Sequence, residues 1–121
     1  MYYVQYAHAR ICSVLREAAV AAGALAGADL ALLTHEKAEA LATKIADYPA
    51  LLATAARDLA PHLLPYYLRE VAAAFHAYYA AERIRVDDAG LRGARAALAA
   101  ATAQVLKNGL QLLGVSAPER M

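Results

Sequence analysis

Residues 91–113 read LRGARAALAAATAQVLKNGLQLL, and this long, almost unbroken apolar stretch decides the fold class. Alanine and leucine are strong helix formers, so the stretch predicts one long helix that is buried on most of its sides. Asp87 or Asp88 can cap its start, and Gly114 can end it in a left-handed conformation. Because a glycine inside a helix costs about 1 kcal/mol, we expect a close helix contact at Gly109.

The N-terminal part of the chain predicts two more helices. The first covers about residues 2–22, and Gly23 begins a loop that reaches to about Leu33. Its apolar stripe consists of Val4, Ala7, Ile11, Val14, Leu15 and Ala18. Thr34 is a suitable N-cap for a second helix over about residues 35–47.

Prolines mark the starts of the next two helices, since proline is tolerated where the backbone donor has no helical partner. Pro49 predicts the first turn of a short third helix that ends near Leu59. Pro61 and Pro65 predict the start of a fourth helix that runs to about Arg83. With the long helix at residues 91–113, the pattern predicts an all-α antiparallel bundle of about five helices.

Length and composition indicate one cytoplasmic domain. The 121 residues suffice for a single core without metal or disulfide support. Much of the 61% hydrophobic content is alanine, and charges interrupt every apolar stretch before it could span a membrane. The single cysteine, Cys12, cannot form an internal disulfide, which fits a reducing compartment.

The net charge of +1 hides an uneven distribution along the chain. Residues 1–16 carry two bases and no acid, and residues 83–121 carry six bases and three acids. Residues 17–82 carry four bases and eight acids. If the two ends meet in space, they form a basic face that suits a polyanion, although counts this small also vary by chance.

Tyrosine dominates the aromatic residues, with eight tyrosines, one phenylalanine and no tryptophan. Single-stranded RNA is bound by stacking unpaired bases on such rings, with arginines on the phosphates. Tyr6 and Arg10 lie about 40° apart on the first helix and away from its apolar stripe. On the fourth helix, adjacent Tyr78 and Tyr79 cannot both face inward, so one should be exposed.

Arg83, Arg92 and Arg95 flank the loop between the last two helices and are candidate phosphate contacts. Each could equally belong to an ordinary solvated face. The same holds for Tyr6 with Arg10, whose spacing is also that of a common surface pair.

The sequence gives little support for a catalytic site or a metal site. His8 and Cys12 are four residues apart on a helix, but no third catalytic member accompanies them. His35 and Glu39 share that spacing without a second pair of metal ligands. No glycine-rich phosphate loop occurs, so we expect no catalytic residue, bound metal or cofactor in this chain.

Both ends of the sequence resemble arginyl-tRNA synthetases. Residues 3–10, YVQYAHAR, resemble the helix that begins that family's anticodon-binding domain, and residues 117–121, APERM, resemble the extreme C-terminus. The His-Ile-Gly-His and Lys-Met-Ser-Lys type signatures of class I catalysis are absent.

This resemblance implies that residues 1–121 are a DALR-type anticodon-binding domain without its catalytic domain, and not an enzyme alone. It implies anticodon-loop contacts by Tyr6, Arg10, Tyr79 and Met121. The intact protein would join arginine to its tRNA, using ATP and Mg²⁺. Its expected partners are arginine tRNA and the catalytic domain of the same protein, in a monomer that contacts neither membrane nor DNA.

Two alternatives stay open at this point. One is the related helical domain of another class I synthetase. The other is a non-catalytic bundle that docks a partner protein or dimerises through its alanine-rich helices.

Overall fold

A computed structural model describes residues 1–18, 25 and 27–121, and in these ranges the chain forms five α-helices and a 3-10 turn. They are α1 (Tyr2–Ala18), the turn (Leu30–Leu32), α2 (Glu36–Ala46), α3 (Tyr48–Arg57), α4 (Leu63–Ala81) and α5 (Ala89–Leu112). The all-α prediction is confirmed. The expected end of the first helix near residue 22, and the break at Gly23, lie outside the described residues. No described helix combines the length and apolarity needed to cross a bilayer.

Capping side chains explain where two helices begin. The Asp88 carboxylate accepts a hydrogen bond from the Leu91 N–H at 2.9 Å, which confirms one of the two predicted caps of α5. The predicted Thr34 cap of α2 is wrong by one residue. His35 holds the extended backbone of an N-cap, and its Nδ1 accepts from the Lys37 N–H at 3.0 Å, because an imidazole acceptor can replace a hydroxyl there.

Gly114 ends α5 as predicted, with a left-handed φ of 72°. Its N–H donates to the Gln111 carbonyl, and the Val115 N–H donates to the Leu110 carbonyl at 2.9 Å, which is the Schellman arrangement. This turn sends residues 115–121, which we call the tail, away from the helix axis.

Helix α4 lies at the centre of the bundle and packs against all four other described helices. It approaches α5 closely at Gly109, where an added Cβ would lie 2.5 Å from Leu68 Cδ2. The close contact expected at this glycine is confirmed. Helix α5 is buried on most sides, with a solvated strip at Ala101, Gln104, Lys107 and Gln111.

Helix α1 packs against α4 and α5, which brings the first and last helices together. Its predicted apolar stripe faces this core, and only Leu15 among the six residues is half-buried rather than buried. The opposite face of α1 is free to form a surface with the tail.

Candidate nucleic-acid interface

Tyr6 and Arg10 lie one turn apart on α1, and both side chains are exposed, Tyr6 by 41%. The core takes the other face of the helix through Val4, Ala7 and Ile11, each fully buried. The orientation predicted from the helical period is confirmed. A ring and a guanidinium group are thus available to one ligand.

Arg10 also reaches Tyr79, across the boundary between α1 and α4. The guanidinium carbon lies 5.4 Å from the Tyr79 ring centroid, within the range of a cation–π contact. Tyr79 is half-buried and stacks on Phe75 with centroids 5.8 Å apart and planes 11° apart. Tyr78 is the buried member of the pair, so the sequence was right that only one of the two rings reaches the surface.

An open groove between α1 and α4 joins these side chains, and we call it the aromatic groove. It is lined by Tyr3, Tyr6, Arg10, His76, Tyr79 and Ala80. The Tyr3 and His76 rings lie 5.6 Å apart. Burial, and then the positive charge of Arg10, lower the pKa of His76. Its imidazole is therefore neutral at pH 7 and can offer one donor and one acceptor.

A second groove, which we call the tail cleft, lies between α1 and the tail. It is lined by Tyr6, Ala9, Arg10, Ser13, Arg16, Arg120 and Met121. The side chains that line it include three arginines and no carboxylate, which favours an anionic ligand such as a phosphodiester. Tyr6 and Arg10 line both grooves, so the two grooves meet at these side chains.

Hydrogen bonds to α1 fix the path of the tail. Three side chains of α1 bond to backbone carbonyls of the tail: Gln5 to Ser116 at 3.0 Å, His8 to Pro118 at 2.9 Å and Arg16 to Glu119 at 3.4 Å. The three acceptor residues follow one another along the tail in the same order as the three donors along α1. The two ends of the chain therefore meet, which is the condition under which their bases form one face, and Met121 lies 55% exposed in the tail cleft.

The three arginines of the last loop have different surroundings. Arg95 donates to the Glu82 carboxylate at 2.6 Å and to the Arg83 carbonyl at 2.7 Å. Arg92 donates to the Val86 carbonyl at 2.9 Å. These bonds hold the loop between α4 and α5 in shape, whereas the Arg83 side chain is exposed. A phosphate contact by any of the three stays a prediction, and neither groove includes them among its lining residues.

Not all tyrosines belong to the surface. Tyr67 is buried, and its hydroxyl donates to the Lys44 carbonyl near the end of α2 at 2.7 Å. Burial raises the pKa of Tyr67 to about 12 and, with the negative charge of Glu82, raises that of Tyr78 to about 12. Tyr66 is exposed but lies in a different groove, beside α2 and α3.

Among the lining residues with an aromatic or basic side chain, four were not predicted from the sequence, namely Tyr3, His76, Arg16 and Arg120. The helical period could have indicated Arg16, because it flanks the face that carries Tyr6 and Arg10. Arg120 and His76 depend on where the tail and α4 pass, which no local pattern specifies.

His8 and Cys12 approach each other as their spacing allows, with Nε2 3.9 Å from Sγ. Burial, followed by the charge of Glu119, raises the pKa of the Cys12 thiol, so that thiol stays protonated at neutral pH. Across the described parts of the chain, no three His, Cys, Asp or Glu side chains converge as metal ligands would. His35 instead caps α2.

Two solved structures share this fold. An arginyl-tRNA synthetase from Campylobacter jejuni matches with a TM-score of 0.91 and 28% identity, over 99% of this chain and 26% of that one. The arginyl-tRNA synthetase of Thermus thermophilus matches with a TM-score of 0.86 and 36% identity, over 98% and 21% of the two chains. The fold is thus that of a helical domain of the aminoacyl-tRNA synthetases.

Residues 4–121 match the family described as the DALR anticodon binding domain, and the chain belongs to this family. Curated relatives are the arginine–tRNA ligases of Burkholderia cenocepacia and Burkholderia thailandensis, each 58% identical over 125 residues and covering 100% of this chain. The chain spans about a fifth of the length of these relatives, 21% in each. The resemblance seen at the two ends of the sequence is confirmed as that of an arginyl-tRNA synthetase anticodon-binding domain.

Proposed function

We propose that this domain binds the anticodon loop of arginine tRNA on the surface where its two grooves meet. The observation that supports this most directly is the convergence of Tyr6, Arg10 and Tyr79 from two helices, with Met121 in the adjoining cleft. Unpaired bases stack on exposed aromatic rings, and guanidinium groups bind the phosphates between them. Both kinds of group are present within one continuous surface.

The proposed roles follow from the chemistry of each side chain. Tyr79, backed by Phe75 and held by Arg10, is a rigid stacking platform for one base. Tyr6 offers a second ring, and the flexible Met121 side chain packs on a base turned out of the loop. Arginines of the tail cleft bind phosphates, and the exposed Arg83, which lines neither groove, offers a separate phosphate contact beyond the end of α4.

The proposal extends to the protein of which residues 1–121 form the recognition domain. That protein is an arginine–tRNA ligase of the cytoplasm, which uses ATP and Mg²⁺ in a separate catalytic domain. Binding the anticodon loop far from the reaction would hold the acceptor end in place, and this binding energy supports the chemistry. We propose a monomer, because the surface described here needs no second copy.

Titration of the chain with a labelled arginine anticodon stem-loop tests the proposal. We expect binding that weakens as salt rises, because phosphate contacts release counterions. A stem-loop with the same stem and another anticodon should bind more weakly, and a duplex without a loop weaker still. Equal affinity for all three RNAs would contradict the proposal. A mass that rises with concentration, without RNA affinity, would instead support a dimerisation module.

A further inference from the structure

His8 is a buried polar residue of α1 whose hydrogen bond joins the two ends of the chain. It is 3% exposed, and its Nδ1 lies 2.9 Å from the carbonyl oxygen of Pro118, 110 residues later. A carbonyl oxygen only accepts, so Nδ1 carries the proton and donates. The second ring nitrogen has the Cys12 sulfur at 3.9 Å, which is a weak contact. The bond to the tail is therefore the main polar interaction of this imidazole.

The acceptor residue, Pro118, makes this bond suited to fixing the register of the tail along α1. Proline fixes its own φ and has no N–H, so Pro118 can be held only through its carbonyl and its packing. Three residues of extended chain reach at most about 11 Å, so the position of Pro118 limits where Met121 can lie. Fixing Pro118 on α1 thus sets how far Met121 reaches into the tail cleft.

The contacts of Gln5 and Arg16 with the tail are weaker constraints, although Gln5 also donates to the Ser116 hydroxyl at 3.3 Å and Arg16 donates to the Glu119 carbonyl through both terminal nitrogens. Gln5 and Arg16 bond to carbonyls at exposed positions, and the Arg16 distance is 3.4 Å. Exposed hydrogen bonds contribute less, because water replaces them when they break. His8 makes the shortest of the three bonds, and it is the donor with the least access to water.

We infer that His8 is a positioning residue for the loop-binding surface, which fixes the register of the tail along α1 and so places Met121 beside Tyr6 and Arg10. The inference rests on the proposed function, since Met121 is its point of contact with RNA. His8 touches no RNA itself and acts through the tail.

A matched pair of variants tests this role. The side-chain nitrogen of asparagine can occupy the place of Nδ1, whereas that of glutamine reaches the place of Nε2. We expect His8→Gln to weaken binding of the arginine stem-loop by about fivefold, the loss typical of one buried hydrogen bond. His8→Asn should stay within about twofold of the unmodified chain, because it restores the donor.

Shortening the chain to end at Arg120 completes a double-mutant cycle. If His8 acts through Met121, His8→Gln should have no further effect on affinity in the shortened chain. The control is Thr102→Val, which removes a buried hydroxyl that bonds within α5 to Leu98. This change should lower the melting temperature without changing affinity.

One glycine inserted between Pro118 and Glu119 shifts Met121 while leaving the core and the His8 bond intact. It should also weaken binding about fivefold, and it keeps the test decisive if His8→Gln does not fold. Each of three results would overturn the inference alone. The first is unchanged affinity in the insertion variant, and the second is equal affinity of His8→Gln and His8→Asn. The third is a loss of affinity from His8→Gln that is as large in the shortened chain as in the full one. Failure of the unmodified chain to bind the stem-loop would overturn the proposed function, and the inference with it.

Discussion

The guanidinium group of Arg10 lies 5.4 Å from the ring centroid of Tyr79, although the two residues come from the first and the fourth of the described helices. The contact links the cationic face of α1 to the aromatic end of α4. It also holds the Tyr79 ring against Phe75, so that the ring is already fixed before a ligand arrives. A fixed ring loses little entropy on binding a base.

Tyr79→Ala should weaken binding of the arginine stem-loop by about 1–3 kcal/mol, the usual contribution of a stacked base. Tyr6→Ala should have an effect of the same order, while far-UV circular dichroism stays unchanged for both. Tyr66→Ala is the matched control, because this tyrosine is also exposed on α4 but lies in another groove. Equal losses at Tyr66 and Tyr79 would argue against a localised binding surface.

Arg16→Gln should make binding less sensitive to salt. The arginine lies in the tail cleft, and removing one phosphate contact to single-stranded RNA lowers the slope of log affinity against log salt by about 0.7. Arg57→Gln is a suitable control, since Arg57 is exposed at the end of α3 and pairs with its neighbour Asp58. Identical slopes for Arg16→Gln and the unmodified chain would remove Arg16 from the interface.

Gly109→Ala should destabilise the fold by about 1–3 kcal/mol, because the new methyl group would meet Leu68 at 2.5 Å. Gly93→Ala, in the same helix, meets nothing within 4 Å and should stabilise by about 0.5–1 kcal/mol through helix propensity. Urea denaturation measures both changes. A neutral Gly109→Ala would show that the Leu68 side chain can move aside for the methyl group.

Tyr78 should make the fold sensitive to alkaline pH. Its pKa is raised from 10.0 to about 12 in the folded state, chiefly by burial, so the folded chain retains a proton that the unfolded chain has lost. Stability should therefore fall between about pH 10 and 12, by about 2–3 kcal/mol from this group. Denaturant titrations across that range measure the slope.

Tyr78→Phe should remove that contribution to the slope. At pH 7 the change should be neutral or slightly stabilising, because the buried Tyr78 hydroxyl has no hydrogen-bond partner among the described residues. Tyr66→Phe, at an exposed ring, should leave the pH profile unchanged. A slope that persists in Tyr78→Phe would assign the alkaline loss to other groups, of which Tyr67 is the first to examine.

Local patterns predicted the helices well, because alanine, leucine, proline and capping residues act over a few positions. The period of α1 was enough to place Tyr6 beside Arg10 and away from the core. Sequence spacing could say that one of Tyr78 and Tyr79 is exposed, but the choice depends on which side α5 packs. The surroundings of Arg95 depend on the loop that brings Glu82 to it, and no helical period describes that loop.

The path of the tail was the least predictable part of the surface. Its direction depends on a hydrogen bond between His8 and Pro118, which are 110 residues apart. The family resemblance indicated that Met121 matters, but not that Arg16 and Arg120 line the same cleft.

The contact at Gly109 and the turn at Gly114 together fix the number of residues that can lie between these two glycines. Gly109 is pinned against Leu68, and the chain leaves the helix at Gly114. Removing one residue between them would rotate the point where the chain leaves α5 by about 100° around the helix axis. It would also move that point by about 1.5 Å along the axis. Substitutions on the exposed side of α5 are therefore tolerable. An insertion or deletion between the two glycines would change the direction in which the tail leaves the helix.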